Sequence, residues 1–87
     1  MKIIRVSLTD AEPTDDTLRL FDDAKEELYG EILREFQGVA EFPDLDSSAR
    51  QFHVHISATR HLGTVTTLVR KKLKHYRVAE RAVIERL

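Results

Sequence analysis

The chain contains no cysteine. That absence excludes a disulfide scaffold, a thiolate zinc finger and a thiol nucleophile. Asparagine is missing too, and the 87 residues include only three glycines and two prolines. Gly30, Gly38 and Gly63 stand singly, so there is neither a phosphate-binding loop nor a G-x-G-x-x-G pattern. No apolar run approaches the roughly 20 residues that a membrane span requires. Met1 to Thr9 is interrupted by Lys2, Arg5 and Ser7 and so lacks the continuous apolar stretch of a secretory signal. A dominant charge is lacking as well: 14 bases face 15 acids, for a net charge of −1. Together with 41% apolar residues, this balance excludes a disordered chain. The expectation is a cytoplasmic protein organised as a single domain over residues 1–87.

What is present is a sequence of clear periodicities. Ile4, Val6 and Leu8 alternate with Arg5, Ser7 and Thr9, which predicts a half-buried strand. Pro13, Thr14 and the acids up to Asp16 predict a loop that runs into a helix start, where the macrodipole favours carboxylates. From Leu18 to Phe36 the period becomes helical. Leu18, Phe21, Leu28, Ile32 and Phe36 form a stripe, and Asp23, Glu26, Glu27, Glu31 and Arg34 fall opposite. Gly38 is the expected stop. Gly30, on the polar side, costs about 1 kcal/mol relative to alanine. Val39 to Phe42 predicts a short strand, and Pro43 makes it an edge. Asp46-Ser47-Ser48 reads as a turn. Phe52, Val54 and Ile56 then alternate with His53, His55 and Ser57 in the clearest strand of the chain.

Thr59 is the expected cap of a second helix. Leu62, Val65, Val69, Leu73 and Tyr76 form its stripe, with Arg70, Lys71, Lys74 and His75 facing out. Ala82 to Leu87 predicts a last strand, burying either Ala82 with Ile84 or Val83 with Leu87. The order β-α-β-β-α-β predicts an α+β fold, the ferredoxin-like plait. That fold has a four-stranded antiparallel sheet in spatial order 4-1-3-2 with both helices on one face. RNA-recognition motifs, ACT domains and acylphosphatases share that order of elements, an analogy that carries no function by itself.

In such a plait His53, His55 and Ser57 point away from the helices, as do Arg5 and Ser7. Parity adds Glu41 and Val39 if Phe42 faces the core. The candidate binding set is therefore His53, His55, Glu41, Arg5, Ser7 and Ser57, with Arg5 and Ser7 expected beside the histidines on one side and Glu41 on the other. Two imidazoles and a carboxylate recur as a metal site, so His53, His55 and Glu41 are candidate ligands for zinc or another transition metal. Arg5 would repel that metal. His55-Ile56-Ser57 resembles the His-apolar-Ser motif of two-histidine phosphoesterases. That family carries two copies and this chain one, so no residue role follows from the resemblance. Asp44-x-Asp46 has no calcium-loop ligands after it and reads as an acidic turn.

The near-zero net charge hides a division. Residues 1–49 hold 13 acids and 5 bases, a sum of −8; residues 50–87 hold 9 bases and 2 acids, a sum of +7. Arg70, Lys71, Lys74 and Arg77 form a basic surface able to meet phosphates. Against nucleic acid, the open sheet lacks stacking aromatics, and an acidic helix lies beside the basic one. An acidic and a basic surface on one chain suit pairing across a two-fold axis. No nucleophile–base set is visible. The sequence thus leads to a small non-enzymatic binding or protein-interaction module, a homodimer. A metal-binding or hydrolytic domain at His53-x-His55 is the alternative, and nucleic-acid binding through the basic helix a second one.

Overall fold

A computed structural model describes residues 2–43 and 48–87. The Asp44-x-Asp46 pair and most of the turn at 46–48 lie outside the described residues. The elements run β1 (Lys2–Leu8), α1 (Asp15–Glu35), β2 (Ala40–Glu41), β3 (Gln51–Ile56), α2 (Leu62–His75) and β4 (Ala82–Arg86). The four strands form one antiparallel sheet in the order β2-β3-β1-β4. Among the described residues no helix is long and apolar enough to cross a membrane.

Alternation along the strands decides the layers. Ile4 and Val6 of β1 and Phe52, Val54 and Ile56 of β3 are fully buried, and each intervening residue is only half-buried. They share one core with Phe21, Ala24, Leu28 and Ile32 of α1 and Val65, Val69 and Leu73 of α2. Phe52 sits at its centre, its ring 5.3 Å from that of Phe21 and 5.7 Å from that of Phe42. In β4, Ala82 and Ile84 pack against the core, while Val83 is exposed. That resolves the two burials the alternation allowed.

Helix α1 begins three residues before the apolar stripe does. The Thr14 hydroxyl caps it by accepting the Thr17 amide at 3.2 Å, with Asp15 and Asp16 in the first turn. Thr59 does not cap α2. It lies in a short 3-10 turn, Thr59–His61, and α2 follows at Leu62 with no side-chain cap. The expected strand Val39–Phe42 shrinks to Ala40–Glu41, because α1 delivers the chain to the sheet through a turn at Gly38 (φ 79°). Val39 is half-buried against the core, and Glu41 is exposed.

The end of α2 is a Schellman motif. The Arg77 amide donates to Lys74 O at 3.1 Å and the Val78 amide to Leu73 O at 2.9 Å, and Val78 and Leu73 are both buried. The left-handed position that glycine usually fills is held by Arg77, φ 63°. A side chain there costs roughly 1–2 kcal/mol. One buried hydroxyl, Thr66 Oγ1, has no hydrogen-bond partner among the described residues.

Candidate functional site

The sheet face turned away from the helices is built in rows by the strand register. Glu41 pairs with His55, and His55 with Ile3. His53 pairs with Arg5, and Arg5 with Glu85. Gln51 pairs with Ser7, and Ser7 with Val83. All these side chains share the uncovered face by the two-residue alternation of strands. The Leu87 amide donates to Ile3 O at 2.8 Å, which extends the first row across β4.

This register corrects the predicted neighbourhood. Arg5 does flank His53, and Glu41 does flank His55. Ser7, however, lies opposite Gln51, and the remaining neighbour of His55 is the apolar Ile3. The core pairs Ile4↔Val54 and Val6↔Phe52 set this alignment. The long connection through α1 leaves local sequence no means of setting it.

The six candidate residues therefore fall into two groups. Glu41, His55 and Ser57 line a hollow of about 160 Å³ with Gly38, Val39 and Ala40. Ser57 is held beyond the end of β3, where its amide donates to Val39 O at 2.9 Å. In the next row Arg5 turns toward β4, 3.1 Å from the Glu85 carboxylate. Among the described residues no three His, Asp or Glu side chains gather in a way that could hold a metal ion. His53 and His55 lie some 7 Å apart along the strand, and the carboxylate beside one is replaced by a guanidinium beside the other. The hollow is smaller than the 300 Å³ or so at which drug-sized ligand pockets begin.

Apolar exposure gathers at the β4 end of this face. Val83 is 40% and Leu87 59% exposed, with half-buried Ile3 beside Leu87. A second apolar patch lies at the other edge of the sheet. There Tyr29 and Leu33 of α1 are 44% and 49% exposed, and the Tyr29 ring meets that of Phe42 edge-on at 5.4 Å.

In the helix layer Arg70, Lys71, Lys74 and Arg77 are all exposed, as predicted. The base that meets the acidic helix is one the helical stripe did not single out. Lys72 Nζ lies 3.1 Å from Glu27 and 3.3 Å from Glu31, and the Tyr76 hydroxyl donates to Glu27. The signal was available as two pairs at i and i+4: Glu27 with Glu31, and Lys72 with Tyr76. The hydrogen bonds from Tyr76 and Lys72 hold the Glu27 carboxyl below its usual range. The same bond to Glu27 pushes the Tyr76 hydroxyl up. Burial pulls Lys72 down, but the two carboxylates outweigh it and raise it.

No family model, curated protein or solved structure matches the chain.

Proposed function

We propose that this chain is a single ferredoxin-like domain that acts as a non-enzymatic interaction module and pairs with a second copy of itself through the open sheet face. The observation that carries this reading is the band of Ile3, Val83 and Leu87 on a face that neither helix covers. These apolar side chains flank the Arg5–Glu85 row and gain when a second sheet excludes water from them. The row between them supplies Arg5 with Glu85, and the row of Ile3 supplies Glu41 with His55, groups that give a two-fold pairing orientation and register.

Sedimentation velocity over a concentration series tests it. The chain should move to twice its monomer mass at high micromolar concentration. Replacing Val83 and Leu87 together with lysine should leave it monomeric with an unchanged circular dichroism spectrum. A monomer at every concentration overturns the reading.

A second reading rests on one observation, that Glu41, His55 and Ser57 line the same hollow. It makes the hollow a proton-transfer or small-ion site centred on His55. Elemental analysis of chelator-free protein, with and without added zinc, compares the chain with its His53→Ala/His55→Ala variant. Stoichiometric metal lost in the variant supports it, and no metal in either protein leaves the histidines as surface groups.

A further inference from the structure

The outer edge of β4 combines three features that the self-association reading does not use. The first is backbone. β4 pairs with β1 alone. Thr9 donates to Arg81 O and Leu87 to Ile3 O, at 2.8 Å each. In an antiparallel ladder the residues that bond inward alternate with those that do not. Arg81, Val83, Glu85 and Leu87 therefore bond toward β1, and Ile84 and Arg86 present their N–H and C=O groups outward, while the Ala82 amide is already bonded to Ala79 O. Such a row is a template for another strand.

The second feature is a groove. Between β4 and α2 lies a hollow of about 480 Å³, larger than either hollow near β2. Leu73, Ala79, Ala82 and Ile84 make its apolar floor, and Arg70 and Lys74 form its rim.

The third is charge. Arg5, Arg19, Lys72 and Arg81 each meet a carboxylate within the chain. Arg70, Lys71, Lys74 and Arg77 meet none among the described residues, and all four are exposed. Arg77 stands in the turn between Lys74 and Ala79 at a left-handed position, where glycine would be least strained. An arginine kept under strain beside an unpaired basic rim points to a use for its charge.

We propose that this edge takes an extended acidic segment of a partner protein as an added strand, with alternate side chains entering the groove toward Arg70 and Lys74. Main-chain bonds to Ile84 and Arg86 supply affinity, and the basic rim selects the occupant. A second copy of the chain is a poor occupant, because joining two β4 edges would bring Arg70, Lys74 and Arg86 of both copies together. Nucleic acid would meet the rim but would leave the apolar floor and the outward backbone groups unused.

The probe is a labelled short peptide of alternating glutamate and threonine, read by fluorescence anisotropy. A lysine–threonine peptide and a thymidine oligonucleotide serve as comparisons. The acidic peptide should bind, and the lysine peptide should bind at least about tenfold more weakly. Arg70→Glu/Lys74→Glu, both exposed, should lose about tenfold or more while the melting curve holds. Arg86→Pro removes one outward amide without touching the ladder to β1. It should weaken binding about tenfold, against a much smaller loss for Arg86→Ala. Indifference to charge reversal, equal binding of both peptides, or tighter binding of the oligonucleotide with no effect of Arg86→Pro would overturn the proposal. Leu87→Lys, which disrupts only the open face, should bind the peptide as the unchanged chain does. Failure of self-association and failure of this site are therefore read separately.

Discussion

The two flanks of α2 have similar composition and opposite circumstances. On the flank toward α1, Lys72 is 13% exposed and lies between Glu27 and Glu31, with Tyr76 bonded to Glu27 one turn on. On the flank toward β4, Arg70 and Lys74 rim an apolar groove and meet no carboxylate among the described residues. A basic residue next to a packed neighbour is drawn into the fold's own electrostatics. One beside a sheet edge is left for whatever comes from outside. The charge division of the chain is thus only partly internal: the acidic helix takes up Lys72 and leaves the outer bases unmatched.

Cutting the helix free of the sheet would erase the comparison altogether, and this is the largest expected effect. Leu73 lies between the flanks, in the core and in the Schellman closure. Leu73→Ala should cost about 2–5 kcal/mol by chemical denaturation. Next comes the seam itself. Lys72→Met keeps the apolar stem and removes the charge, which should cost about 1 kcal/mol. Arg70→Ala and Lys74→Ala should each stay within about 0.5 kcal/mol. Equal costs on both flanks would remove the distinction.

The seam should also have a pH signature. The folded Glu27 carboxyl titrates below its ordinary 4.5, so it contributes stability that is present above that pH and lost as pH falls through the folded value. Lys72 and Tyr76 are shifted up, so their contribution is present below their ordinary values and lost as pH rises through the raised ones. Melting curves of Glu27→Gln should show a flatter acid limb, whereas Arg70→Ala should leave that limb unchanged.

Two small gains sharpen the contrast. Arg77→Gly relieves the left-handed position and should raise stability by about 1 kcal/mol while weakening any acidic partner. Gly30→Ala should gain about 0.5–1 kcal/mol, because a Cβ there meets only the flexible end of Arg34, 3.2 Å away. The second change should leave binding untouched; the first should trade stability for it.

Periodicity made most of the elements readable. Two-residue alternation marked β1 and β3, and the stripes of α1 and α2 marked their buried faces, because burial of one face imposes those periods locally. Ends were harder. The Thr14 cap lies before the stripe, and Thr59 has a cap's residue type but a 3-10 turn's geometry. Of the candidate site, Glu41 beside His55 and Arg5 beside His53 followed from parity and strand order. Ser7 did not, because a shift of register by two residues changes the neighbour without changing the face.

By itself the sequence determined which residues of β1, β3, α1 and α2 turn inward, the order of elements and the division of charge along the chain. These depend on neighbours one to four positions away. The tertiary structure alone decided the register that separates His53 from Glu41, the burial of Ala82 and Ile84 in β4, and the choice of Lys72 to meet the acidic helix. Each of these is a contact between segments far apart in the chain, where the cost of closing the loop is met by shared burial and leaves no local trace in the sequence.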